Sequence, residues 1–123
     1  MTKGRILIVE DNKVNQVLIS KFLTKLGISF DLAENGKEAL ESIQVVKYEL
    51  VLMDIMMPIM DGIECTKLIR AHSNRSIAAI PIIAISANFE KETEALEAGM
   101  DSFLAKPLQL PTVELNIRKI LRK

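Results

Sequence analysis

The sequence predicts an α/β fold, a doubly wound parallel sheet of five strands in the order 2-1-3-4-5. Three observations predict it. Five short apolar runs recur along the 123 residues, at 5–10, 29–33, 49–54, 80–86 and 102–106. The first, third and fourth (RILIVE, ELVLMD and IPIIAIS) are nearly continuous in Ile, Leu and Val, as strands buried on both faces require. The stretches between them carry apolar residues at helical spacing, so strand and helix alternate. Right-handed crossovers leave few topologies for such a (βα)5 chain, and its count and length fit the flavodoxin-like order.

Each element follows in turn. After RILIVE, a helix is predicted over 13–26, with Val14, Leu18, Phe22 and Leu26 every four residues and Gly27 as its stop. SFDLA (29–33) is short and mixed, which suits an edge strand. Over 35–45, Asn35 and Glu38 have capping-box spacing, and Ala39, Leu40 and Ile43 share a face. ELVLMD leads to a helix over 61–71, where Asp61 and Glu64 repeat that spacing. The loop 72–79, HSNRSIAA, is the least patterned stretch. IPIIAIS leads to a helix over 90–98 that ends at Gly99. SFLAK (102–106) is the second edge. The last helix, 111–122, starts at Pro111 and carries Val113, Ile117, Ile120 and Leu121. All five apolar stripes are read as core-facing. Cys65 is read as a small buried residue, His72 as a solvated loop residue and Tyr48 as packing ahead of the third strand.

Composition bounds the function. The length suits a single domain, 1–123, and 49% hydrophobic content argues against disorder. Lys+Arg and Asp+Glu are equal at 16 each, so there is no electrostatic footprint for direct nucleic-acid or anionic-membrane contact. One cysteine excludes an intramolecular disulfide and suits a reducing compartment. No apolar stretch is long enough to span a bilayer, and MTKGRILIVEDN lacks the marks of a signal peptide. The expected location is cytoplasmic, either free or as a domain tethered to a larger membrane protein.

In an open α/β sheet, ligands bind at the carboxyl ends of the strands, where strand order reverses. The first strand ends on Glu10 and Asp11, the third on Asp54, the fourth on Ser86 and the fifth on Lys106. The predicted order makes these strands neighbours, so five polar groups converge on one rim. Three adjacent carboxylates repel one another unless a cation joins them, and hard oxygen ligands suit Mg²⁺. An ammonium and a hydroxyl complete the parts that stabilise a phosphoryl group in transfer, with an aspartate as nucleophile. Alone, each residue reads more readily as a solvated turn. The signal lies in their shared placement.

ILIVEDNKVNQ, VLMDIMMPIMDG, IPIIAISA and EAGMDSFLAKPL together make the chain resemble response regulator receiver domains of two-component signalling, closest in wording to those of hybrid histidine kinases. The resemblance implies that Asp54 is phosphorylated, that Glu10, Asp11 and Asp54 hold Mg²⁺ with the Met56 backbone carbonyl, and that Lys106 contacts the phosphoryl group. It implies that Ser86 hydrogen-bonds that group on activation, that Phe103 is a switch aromatic, and that Pro107 follows a cis peptide. It implies a histidine kinase or histidine phosphotransfer protein as donor, and an output surface around the fourth helix, fifth strand and fifth helix.

Departures from the family are Ser86 where Thr is commoner, Phe103 without the frequent Tyr hydroxyl, and a slightly shorter stretch from Ser86 to Lys106. Met56 and Asn88 are expected beside the phosphoryl group, where an apolar Met56 cannot position water, so a long-lived phosphorylated state is expected. Three other readings fit less well. An aspartyl phosphohydrolase resembles this pattern but carries a second Asp two residues after the nucleophile, where Met56 stands. A purely structural module predicts missing acids or lysine, and none is missing. A flavin binder wants a phosphate-cradling glycine loop where EDNKVNQ stands. The chain is thus expected to be a signalling domain rather than an enzyme on other substrates.

Overall fold

The computed structural model describes residues 5–121. Five strands form one parallel sheet in the order β2-β1-β3-β4-β5: β1 Ile6–Val9, β2 Phe30–Ala33, β3 Leu50–Asp54, β4 Ile82–Ser86 and β5 Ser102–Ala105. The predicted order is observed, with the mixed strands β2 and β5 at the edges. The helices are α1 Lys13–Lys25, α2 Gly36–Val45, α3 Gly62–Arg70, α4 Arg75–Ala78, α5 Glu92–Ala98 and α6 Leu110–Leu121, and a 3-10 turn over Phe89–Lys91 precedes α5.

Strand periodicity divides the core into two layers, because alternate side chains face opposite ways. Leu7, Val9, Val51, Met53, Ile82 and Ala84 pack with Ala39, Ile43, Cys65, Ile69 and Ala95 of α2, α3 and α5. Ile6, Ile8, Leu50, Leu52, Ile83 and Ile85 pack on the other face with Ile19, Leu23, Val113 and Ile117 of α1 and α6. Every residue of β1, β3 and β4 is buried, as their continuous apolar sequences require.

Several expectations are corrected. The stripe on α1 is rotated: Gln16, Ile19 and Leu23 are buried, whereas Val14 is 76% exposed and Phe22 and Leu26 are half-buried. A strict four-residue repeat turns about 40° per step on a 3.6-residue helix, so its first member, Val14, lies off the face that Phe22 and Leu26 border. The loop 72–79 contains a helical turn, α4, because the Asn74 side chain accepts from Ser76 N–H and caps it at 2.8 Å. His72 there is half-buried, and its Nδ1 accepts from Asn74 N–H.

The Asn35 and Asp61 caps form as expected. Asn35 and Asp61 accept from the N–H groups of Glu38 and Glu64. Glu38 does not complete the box on Asn35; it accepts from Glu34 N–H. Gly27 and Gly99 take the positive φ values that follow α1 and α5. The last helix begins one residue before Pro111. Cys65 is fully buried, and Tyr48 packs before β3 with its hydroxyl donating to Asp31 at 2.7 Å. Among the described residues no helix is long and apolar enough to cross a membrane.

Candidate active site

The chain runs from β1 outward to the edge strand β2, then crosses to β3 on the other side of β1. The loops after β1 and β3 therefore diverge and leave a crevice at the carboxyl ends of these strands. Glu10 and Asp11 follow β1 there, and Asp54 is the last residue of β3.

One carboxylate oxygen from each of Glu10, Asp11 and Asp54 lies within 4.8 Å of the others. Glu10 is fully buried and Asp54 is 3% exposed, whereas Asp11 faces solvent. Glu10 is held from several sides. Its backbone N–H donates to Ala33 O at 3.0 Å, its backbone carbonyl accepts from Gln16 Nε2 at 2.6 Å, and its Oε2 accepts from Asn12 N–H at 3.1 Å. Asn12 in turn caps α1 through Asn15 N–H, so the start of α1 fixes the acidic loop. Glu10 Oε1 has no hydrogen-bond donor, though Lys106 Nζ stands 3.3 Å away as an ion-pair partner.

Lys106 closes the other side of the cleft. Its Nζ is 3.4 Å from Asp54 Oδ2, and its side chain is only 21% exposed. Its backbone N–H donates to Ser86 O at 2.9 Å, so the ends of β4 and β5 are tied together beside the acids. The Lys106–Pro107 peptide is cis, as the resemblance implies. Ser86 is buried, and its Oγ accepts from Asn88 N–H at 3.0 Å. Beyond Asp54 the chain loops out and returns, because Gly62 N–H donates to Ile55 O at 2.9 Å. A Cβ at Gly62 would stand 2.4 Å from Asp54 O, so only glycine lets α3 start this close to the acid.

Burial, and then the neighbouring Glu10, push Asp54 up from 3.8 to about 7, with Lys106 pulling the other way. Burial and a like charge both disfavour the ionised form, and burial is the larger of the two here. Such a carboxylate gains most when a cation neutralises the crowding.

Glu10, Asp11, Asp54, Ser86 and Lys106 are therefore brought together. Met56 lies on the loop and its side chain is 60% exposed. Phe103 is half-buried on β5, its ring centroid 6.3 Å from that of Phe89. Sequence reasoning missed Gln16 and Phe89. Gln16 is a polar residue on the buried face of α1, a signal readable only once that face is known.

A buried aspartate between a glutamate and a lysine, at the switch point of a doubly wound sheet, defines a class of phosphoryl-handling domain. The response regulator receiver domain family model matches residues 6–118, and the chain belongs to that family, a receiver of two-component phosphorelays. It is 42% identical over 94% of its length to hybrid signal transduction histidine kinase G of Dictyostelium discoideum, of which it covers 3%. The chain spans between 3% and 16% of the lengths of such curated relatives. The receiver domain of sensor histidine kinase PA1611 from Pseudomonas aeruginosa PAO1, solved with magnesium coordinated in its active-site cleft, superposes with a TM-score of 0.91 at 35% identity, covering 99% of this chain and 100% of that one. A chain from the co-crystal of the Saccharomyces cerevisiae phosphotransfer protein Ypd1 with the receiver domain of Ssk1 gives 0.85 at 34% identity, covering 96% and 88%.

Proposed function

We propose that this chain accepts a phosphoryl group onto Asp54 from a phosphohistidine of a histidine kinase or histidine phosphotransfer protein. The observation that carries this reading is Asp54 buried beside Glu10 and within ion-pair reach of Lys106. In the transfer an Asp54 carboxylate oxygen forms the new O–P bond. The N–P bond of the donor breaks, and its electron pair stays on the imidazole. Lys106 stands where its ammonium can offset charge on the incoming phosphoryl oxygens. The Ser86 Oγ accepts from Asn88 N–H, which leaves its own hydrogen to donate to a phosphoryl oxygen.

The acids fit Mg²⁺. Three hard oxygen donors lie within one ion's reach, and the buried Glu10 Oε1 lacks a hydrogen-bond donor. Glu10, Asp11 and Asp54 would hold the ion, with the Met56 backbone carbonyl. Bound there, Mg²⁺ supplies positive charge to the phosphoryl oxygens.

Phosphorylation adds a charge of about −1.5 to −2. Ser86 and Phe103 are read as the switch that carries this change to the surface formed by α5, β5 and α6. That surface is the output face. The chain is read as one receiver domain over 1–123, cytoplasmic, free or part of a hybrid kinase, acting on its own phosphorylation rather than on other substrates.

Mass spectrometry after treatment with acetyl phosphate and Mg²⁺ tests the reading. A single added phosphoryl group is expected on the wild type and none on Asp54→Asn. No adduct on the wild type overturns it.

A further inference from the structure

Gln16 is a polar residue on the face where α1 otherwise buries Ile19 and Leu23. It is 6% exposed, and its Nε2 donates to the Glu10 backbone carbonyl at 2.6 Å. A buried amide on an apolar stripe costs free energy unless it is hydrogen-bonded. The carbonyl it meets is equally in need of a partner. Glu10 is fully buried and lies one residue past the end of β1, where the pairing of β1 with β3 stops at Val9 and Met53. A buried carbonyl beyond the end of its ladder must find a donor elsewhere.

The bond bears on two of the acids at once. The carbonyl of Glu10 and the N–H of Asp11 belong to one planar peptide unit, so fixing the first fixes the direction in which the chain continues to the second. Glu10 has other restraints, since its N–H donates to Ala33 O and its Oε2 accepts from Asn12 N–H. The Asp11 side chain has none of that kind. Among the described residues no hydrogen bond or ion pair holds its carboxylate, which faces solvent. Yet one of its oxygens lies within 4.8 Å of oxygens of Glu10 and Asp54. Its place in the cluster is set by its backbone, and Gln16 is the side chain that orients that backbone. Gln16 is itself fixed, because its own N–H donates to Asn12 O at 2.9 Å in the first turn of α1.

We propose that Gln16 is a positioning residue for Mg²⁺: it orients the Glu10–Asp11 peptide and so keeps the Asp11 carboxylate within reach of the ion that Glu10 and Asp54 also hold. This rests on the three acids being the Mg²⁺ site. Gln16 acts through a backbone carbonyl and not through a carboxylate oxygen. Groups that orient metal ligands from outside the ligand set are worth about ten- to a hundredfold in affinity.

The test is a calorimetric titration of Mg²⁺ into wild type, Gln16→Met, Gln16→Asn, Asp11→Ala and the double variant Gln16→Met with Asp11→Ala. Met matches Gln in length but cannot donate, and Asn keeps the amide but falls one methylene short. Each Gln16 variant is expected to bind Mg²⁺ about tenfold more weakly than wild type. The double variant is expected to bind within about twofold of Asp11→Ala, since no Asp11 carboxylate is left to place. Leu23→Ala separates positioning from stability. It opens a cavity under the same helix, and it is expected to lower the urea midpoint while leaving Mg²⁺ affinity unchanged. A folded Gln16→Met or Gln16→Asn that binds within about twofold of wild type overturns the proposal. A further loss of about tenfold in the double variant also overturns it, because Gln16 would then act elsewhere than through Asp11. So does an equal loss of affinity in Leu23→Ala, which would make the effect one of general stability. Wild type that binds no Mg²⁺ overturns the reading of the three acids as a metal site, and this proposal with it.

Discussion

Met56 shows how one side chain can be placed by sequence and weighed by structure. It follows Asp54 by two positions, and its side chain is 60% exposed on the loop after β3. An apolar thioether cannot hold an attacking water by hydrogen bonds, so under the proposed phosphorylation of Asp54 its role would be to shield the aspartyl phosphate. Met56→Asn supplies donor and acceptor groups there. The half-life of the phosphorylated domain, followed after acetyl phosphate is removed, is expected to shorten several-fold. An unchanged half-life rules out the shielding role. Glu10, Asp11, Asp54, Ser86 and Lys106 were all legible at this scale because each ends a strand or follows directly on one. Gln16 was not, because its bond to the Glu10 carbonyl depends on the rotation of α1. The positive φ of Ile59 was equally hidden, since a backbone angle leaves no trace in residue order.

Among the elements, the helices around β4 and β5 depend on one arginine. Arg70, in the last turn of α3, donates through Nε to Gly99 O at 2.9 Å and through one terminal nitrogen to Ala78 O and Ile80 O at 2.8 and 2.7 Å. Its other nitrogen meets Asp101 Oδ2 at 3.0 Å, and the same oxygen accepts from Ile82 N–H. One guanidinium thus joins α3, the end of α4, the cap of α5 and the starts of β4 and β5. Burial lowers its pKa, with Asp101 opposing that shift. Gly99 is required at the contact, because its φ is +113° and a Cβ would stand 2.9 Å from Arg70 Cγ. Arg70→Met keeps the stem and leaves three carbonyls without this donor. It is expected to lower stability by about 2–4 kcal/mol in urea titration. A loss under 0.5 kcal/mol would show that water replaces the clamp. The sequence placed α3 and the end of α5 but gave no sign of this junction, whose partners lie up to 31 positions apart.

For the whole molecule, the site sets a pH dependence on stability. Asp54 titrates near 3.8 when unfolded and near 7 in the fold, so between these values only the folded chain keeps the proton. Stability contributed by this group is full below about pH 4, falls as pH rises through 7 and is flat above. With EDTA present, wild-type urea midpoints are expected to fall from pH 5 to pH 8. Asp54→Asn is expected to lack that part of the slope and to be more stable at pH 8, by roughly 2–4 kcal/mol. Identical slopes for the two proteins would refute the assignment.

The sequence by itself determined the order and type of the main strands and helices, the two-sided burial of β1, β3 and β4, and the acids, hydroxyl and lysine at the strand ends. It could do so because apolar periodicity and strand termini are local properties of the chain. The tertiary structure alone decided which face of α1 is buried, that 72–79 winds into a turn, how burial and then Glu10 raise Asp54, and that Ile59 takes a positive φ. Those features depend on distances between segments and on backbone angles. They arise only when the sheet closes and brings remote residues within a few ångströms.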